Sequence, residues 1–246
     1  MSYGMNEFGQ VVGAPVADWT PPELPLRMPL EGLYARLEPL DPVRHAAALF
    51  RANAADADGR MWTYLSYGPF ADEAEYRAWA IEMARRTDVR MAAIVSRETG
   101  RACGVAAFHR IDPALGSIEI GHVAFSPELS RTRVATEALW LMMDHAFALG
   151  YRRCEWKCDA LNRASRAAAE RLGFVYEGTF RQAGVYKGRN RDTAWFAALD
   201  GDAPRLRKAM TIWLAPANFD AAGRQRTKLE AAARPEWPAA SRRVAA

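Results

Sequence analysis

No apolar run in the 246-residue chain approaches the roughly 20 residues that a membrane-spanning helix needs, so no membrane partner is expected. Met1 to Gln10 has neither a basic start nor an apolar centre and is not read as a secretory signal. Cysteine is scarce. Cys103, Cys154 and Cys158 are odd in number and sit among apolar or strand-like residues, which excludes a disulfide framework and makes the cytoplasm the expected location. Cys154 and Cys158 share a face of one strand but stand about 13 Å apart at the usual rise, too far for one metal. Histidine is scarce too. His45, His109, His122 and His145 show no metal-ligand spacing, so no metal site is expected. There is no Gly-x-Ser-x-Gly elbow and no cysteine paired by motif with a histidine and an acid, which argues against a covalent acyl-enzyme. No internal repeat or low-complexity run is present.

What the chain does have is 50% hydrophobic residues, enough for one sizeable core with extensions. Its net charge of +4 is uneven. From Gly201 onward there are nine Lys/Arg and four Asp/Glu, leaving 24 basic and 25 acidic residues in the rest. The basicity belongs to the tail and so does not argue for a nucleic-acid substrate, although the tail offers a contact for an acidic surface; no nucleic-acid partner is expected. Three regions follow: an irregular N-terminal arm over 1–33, broken by Pro21, Pro22 and Pro25 and anchored by Trp19; a domain over 34–200; and a basic helical extension over 201–246. In the extension, Leu206, Met210, Trp213 and Leu214 give an amphipathic helix over Pro204 to Leu214, and a weaker helix is expected over Ala221 to Ala233. Three roles are open to it: packing on the domain, joining two subunits of a homodimer, or remaining without fixed structure.

Within the domain, Tyr34 to Leu40 alternates as a strand and Asp41-Pro42 caps a helix running to about Ala55. Ala57 to Gly68 is a loop rich in aromatics. A helix follows from Pro69-Phe70-Ala71-Asp72, with Tyr76, Trp79, Ala80 and Met83 on one face. Met91 to Val95 and Ala102 to His109 are strands joined by a glycine-containing turn. Arg152 to Cys158 is another strand, with Arg153, Glu155 and Lys157 on one face. Phe180 to Tyr186 and Thr193 to Leu199 form an antiparallel hairpin with a basic tip at Lys187 to Asp192.

The chain is organised around Gly116 to Gly150. Ile118, Ile120, Val123 and Phe125 form a strand whose alternation slips at Gly121-His122, the mark of a bulge. From Val134 the apolar residues follow helical spacing to Gly150. Between them, Leu129 to Ala135 is a loop entering a helix N-terminus, where unpaired N–H groups and the positive end of the helix dipole favour an anion such as phosphate.

Downstream, Asp159 to Ser165 precedes a short helix ending at Leu172-Gly173-Phe174, followed by Tyr176-Glu177-Gly178. Together with Ala135-Thr136-Glu137-Ala138, this order of motifs, carried by Asn162, Ser165, Glu170, Gly173, Phe174, Glu177 and Gly178, resembles the GNAT acyl-CoA N-acyltransferases, specifically the RimJ/RimL-like branch. The resemblance covers about Tyr34 to Leu199. It implies a mixed α/β, three-layer α+β fold: a twisted, mostly antiparallel sheet of about six to seven strands with helices on both faces. It also implies acetyl-CoA as the acyl donor, a primary amine on a protein N-terminus or a small molecule as acceptor, and direct transfer in a ternary complex. One departure is Arg133, which stands where the family's phosphate loop usually has glycine.

From the resemblance, Val123 and Phe125 are expected to pair their main chains with pantetheine, the N–H groups of Thr132, Arg133, Val134, Ala135 and Thr136 to meet pyrophosphate, and Asn162 to belong to the cofactor site. Arg133 adds a charge-assisted contact to phosphate. Glu119 lies opposite in parity to Ile118 and Ile120 and is the expected general base, its pKa lifted by partial burial. His122 is the rival base and His109 a weaker one; His45 and His145 read as structural. The family's usual tyrosine acid falls at Ala169, so Ser165 is expected to stabilise the departing thiolate. From a different class, a catalytically silent acyl-CoA-binding module competes with the enzyme, and Arg133 is the feature that favours it.

Overall fold

Short polar side chains open the helices as their sequence positions require. Asp41 accepts the N–H groups of Val43 and Arg44 at the start of α1 (Pro42–Asn53), and Asp72 accepts that of Glu75 at the start of α2 (Glu73–Arg85). Thr132 caps α3 (Arg133–Ala148), and Asn162 caps α4 (Arg163–Leu172). Gly173 closes α4 at φ 96°, a backbone conformation that favours glycine. Pro204 lies in the first turn of α5 (Ala203–Leu214).

The computed structural model describes residues 3–25, 27–229 and 231. Among these, a two-residue pair, β1 (Gly4–Met5) and β2 (Val11–Val12), stands apart from the main sheet. That sheet is built from β3 (Leu30–Glu31), β4 (Ala35–Pro39), β5 (Val89–Ser96), β6 (Ala102–Asp112), β7 (Ser117–Phe125), β8 (Arg153–Asp159), β9 (Val175–Tyr186) and β10 (Arg189–Leu199). Its spatial order is β3-β4-β5-β6-β7-β8-β10-β9. Every pairing is antiparallel except β7 with β8. The fold is mixed α/β with helices flanking the sheet, and it has eight strands where six to seven were expected. The extra one is β3, a two-residue edge inside the arm and too short to show a period.

Two apolar clusters sandwich the sheet. On one face, Ile118, Ile120, Cys154, Trp156 and Phe196 pack with Ala138, Met142 and Met143 of α3, Leu172 of α4, and Leu206 and Met210 of α5. On the other, Met91, Ala93, Val105 and Ala107 pack with Leu49 of α1 and with Tyr76, Ala80 and Met83 of α2. Trp19 of the arm packs on the turn before β7, where a Cβ on Gly116 would lie 2.4 Å from its ring. Among the described residues no helix is long and apolar enough to cross a membrane.

The second helix expected in the extension is absent over 221–229. Asp220 Oδ1 accepts the N–H groups of Ala222 and Arg224, Gly223 takes φ 73°, and Phe219 bridges to Gln225, so the chain turns back on itself. The rest of that expected helix lies largely outside the described residues.

Candidate active site

The strand alternation of β7 sends Ile118 and Ile120 into the α3 cluster and Glu119 to the opposite face. On β6, Ala107 pairs with Gly121 and Val105 with Ala124, so His122 and Val123 together oppose Ala106. This is a bulge, with His122 at φ 51°. A Cβ on Gly121 would lie 2.3 Å from His109 Nε2, so glycine makes the room that His109 occupies beside Glu119.

β7 and β8 run in parallel only from Ser117–Arg153 to Ile120–Trp156. Beyond that point they part, and β8 continues on β10 alone. Ser126 N–H donates to the Cys103 carbonyl, so Phe125, opposite Gly104, sits in a non-hydrogen-bonded pair with β6. Its own N–H and C=O therefore point into the gap. Alternation gives Val123 the same orientation.

At the mouth of the gap is the loop into α3. The Thr132 hydroxyl donates to Leu129 O and accepts from Ala135 N–H. Thr132 N–H bonds to Leu129 O, and Thr136 N–H to Thr132 O. Of the five N–H groups expected to meet pyrophosphate, three are thus bonded inside the loop. Those of Arg133 and Val134 have no partner among the described residues. The Arg133 guanidinium lies 4.3 Å from the Tyr34 ring centroid and 5.3 Å from that of Phe219. Asn162 Oδ1 accepts Ser165 N–H, so its side chain serves the start of α4.

Glu119 is 4% exposed and faces His109, Lys157 and Arg110. Oε1 is 3.0 Å from His109 Nε2; Oε2 is 2.9 Å from Lys157 Nζ and 3.7 Å from Arg110 Nε. These are ion-pair distances; His109 Nε2 and Glu119 Oε2 make no aligned hydrogen bond. Burial pushes the Glu119 pKa up, but His109 and Lys157 outweigh it and hold the carboxyl below its ordinary value. The expectation of a raised pKa is therefore corrected: the burial is present, and so are the partners that reverse it. A ladder of charge continues from there. Lys157 reaches Glu155 at 2.6 Å, and Arg153 pairs with both Glu155 and Glu177.

His122 lies between this cluster and the aromatic loop. Its ring stacks on Tyr67 with centroids 5.9 Å apart and meets His109 edge-on at 5.1 Å. Burial, aided by His109 and Arg86, pulls its pKa down to about 4. Lys187, at the tip of the β9–β10 hairpin, donates to Trp62 O at 2.7 Å, and Tyr186 donates to Asp159 Oδ2 at 2.9 Å, so the hairpin roofs the region. The aromatic segment thus has two duties. Trp62 and Tyr76 fill the core, while Tyr67 faces His122. Tyr67 Oη and Trp195 Nε1 are buried without a hydrogen-bond partner, and Lys157 Nζ lies 3.5 Å over the Trp195 ring.

Ser165 is turned the other way. Its hydroxyl accepts the indole N–H of buried Trp156 at 3.0 Å. That bond gives the Ser165 oxygen a structural duty as acceptor beneath α4; the hydroxyl proton expected to face the thiolate takes no part in it.

The acetyltransferase (GNAT) domain profile matches residues 35–175. The chain belongs to the GNAT acetyltransferases. Among solved structures, it is similar to a GCN5-related N-acetyltransferase from Brucella melitensis, at 46% identity over 87% of this chain and 97% of that one, with a TM-score of 0.85. A probable GNAT-family acetyltransferase from Chromobacterium violaceum is also 46% identical, over 77% and 94% of the two chains, with a TM-score of 0.72. The RimL ribosomal L7/L12 alpha-N-protein acetyltransferase shares the fold at 23% identity and a TM-score of 0.60, covering 70% of this chain and 93% of that one. A search of functionally curated proteins returned no match.

GNAT domains take acetyl-CoA as donor and act on amine acceptors. The chemistry of the gap between β7 and β8 is compatible with an amide-rich, diphosphate-bearing donor: the Val123 and Phe125 main-chain groups face away from β6, and among the described residues the Arg133 and Val134 N–H groups have no partner. Sequence reasoning noted Lys157 as a strand residue but missed its place beside Glu119. The parity of Arg153, Glu155 and Lys157 was visible; the β7–β8 register that joins them to Glu119 was not. Glu137 was missed as a clamp: its buried carboxylate accepts the N–H groups of Leu33, Tyr34 and Ala35, tying α3 to the start of β4.

Proposed function

We propose that this chain is an acetyl-CoA-dependent N-acetyltransferase that moves the acetyl group directly to a primary amine. The observation that carries this reading is the parting of β7 from β8 beside the bulge at His122. Strand backbone left unpaired there, with His122 and Glu119 nearby on the same strand, supports a donor site at this point. Acetyl-CoA supplies an activated acyl group, so the protein must hold the amine, take its proton and let the thiolate go. Val123 and Phe125 hold the pantetheine amides through their main chains. Arg133 and Val134 meet the diphosphate with backbone N–H groups, and Thr132 keeps the loop in shape. Asn162 acts through the α4 start rather than by touching the donor.

The role of base passes, in this reading, from Glu119 to His122. Both Glu119 oxygens are already engaged, Oε1 facing His109 Nε2 and Oε2 facing Lys157 Nζ. His122 is neutral at pH 7, part exposed, and sits on the bulge itself. Glu119 then works through space: its negative charge favours the imidazolium that forms when His122 takes the proton. The acceptor is a primary amine on a protein N-terminus or a small molecule. A thiol-release assay over a panel of amines tests the proposal. Acetyl-CoA binding without thiol release from any amine would identify the silent binding module instead.

A further inference from the structure

Arg133 is placed against its helix. It is the first residue of α3, where the helix dipole is positive and a cation is disfavoured. It also has no carboxylate within ion-pair distance among the described residues. What holds it is aromatic: the Tyr34 ring at 4.3 Å and the Phe219 ring at 5.3 Å. Those rings are themselves fixed. Tyr34 meets Phe219 edge-on at 5.8 Å and donates its hydroxyl to Leu214 O, and Phe219 meets Trp213 edge-on at 5.1 Å. Behind Phe219, buried Asn218 donates to Trp213 O and accepts both the N–H and hydroxyl of Thr227. Phe219 lies well outside the matched span of 35–175. A folded, internally bonded turn from the C-terminal segment thus reaches back to the first turn of α3.

We infer that this turn is part of the donor site, with Phe219 and Tyr34 positioning the Arg133 guanidinium for the diphosphate of acetyl-CoA. A guanidinium lying over aromatic faces keeps its five N–H donors in its own plane, free at the edge for phosphate oxygens. The aromatic faces offset the dipole penalty in the free protein, and the diphosphate supplies the missing counter-charge on binding. Phe219 is a positioning residue here, acting through Arg133. The inference rests on the proposed use of acetyl-CoA and adds to it a dependence on the C-terminal segment.

The test compares two donors by calorimetry: acetyl-CoA, and S-acetylpantetheine, which lacks the phosphates. Arg133→Ala is expected to weaken acetyl-CoA binding by about 10- to 100-fold, the range for lost hydrogen bonds to a charged group. Phe219→Leu keeps apolar volume and removes the ring; it is expected to weaken acetyl-CoA about three- to tenfold and leave S-acetylpantetheine unchanged. Phe219→Tyr should restore the wild-type value. Adding Phe219→Leu to Arg133→Ala should cost nothing further. Equal weakening of both donors by Phe219→Leu, or a full additional loss in the double variant, would overturn the inference and leave Phe219 a packing residue. Wild-type protein that binds neither donor removes the proposed function itself, a different outcome from either.

Discussion

Replacing Ser165 by alanine separates catalysis from architecture. In the structure the Ser165 hydroxyl is the hydrogen-bond partner of Trp156 Nε1, and Trp156 is a core residue packed against Phe174. Deleting the hydroxyl leaves a buried indole N–H without an acceptor, at a cost of about 1–3 kcal/mol. For a chain of this size each kcal/mol lowers Tm by roughly 2–4 °C. The expected loss is therefore about 2–12 °C, with kcat within about twofold of wild type. Thermal and urea denaturation followed by circular dichroism measure the first quantity, and thiol release measures the second. A second variant sharpens the assignment. In a Trp156→Phe background the indole N–H is gone, so Ser165→Ala should then cost much less, since removing both partners is close to neutral. A tenfold fall in kcat with Tm unchanged would refute this reasoning and return Ser165 to the thiolate.

His122→Ala should lower kcat by about 10²–10⁴-fold, the loss typical for a general base, with little change in acetyl-CoA affinity by calorimetry. Glu119→Gln should lower it less; the reverse order would return the base role to Glu119. Stability should fall with acidification between pH 6.5, the ordinary histidine value, and about 4, because the unfolded chain takes up a proton that folded His122 refuses. Glu119 extends the fall: its contribution is present above its unfolded value and lost as pH drops through its depressed folded one. Urea titrations of wild type and His122→Gln check this, and an identical slope in both between pH 6.5 and 4 would count against the buried neutral imidazole. Acetyl-CoA at 100 times its Kd should add about 2.7 kcal/mol of stability, and a melting curve unmoved at millimolar donor would contradict the donor site.

Local chemistry was readable where it is local. The cap at Asp41, the opposition of Glu119 to Ile118 and Ile120, and a break in the alternation beside His122 all follow from residues a few positions apart. The mixed α/β GNAT fold followed from the order of motifs along the chain. What escaped depends on distant pairing. Lys157 reaches Glu119 because the β7–β8 register sets Glu119 beside Glu155, and no pattern within either strand encodes that register. His109, together with this contact, reversed the direction of the Glu119 pKa. Ser165 shares its helix start with Asn162, but its direction is set by an indole nine residues earlier on β8. The expected helix after Ala221 failed to a stronger local rule, since an aspartate that can accept two N–H groups beside a glycine makes a turn.

The brief parallel contact of β7 with β8 gives the sheet a seam. Four residue pairs join a half made of β3 to β7 to a half made of β8 to β10, and α3 crosses from one to the other. The free amides of Val123 and Phe125 lie at the open end of that seam. In the apo protein they should exchange with solvent quickly although they sit in the middle of an eight-stranded sheet, while Ile118 and Ile120, one turn of the pleat away, stay protected. A donor that pairs with them completes the sheet from outside the chain, and the slowing of those two amides would report the moment at which the two halves become one body.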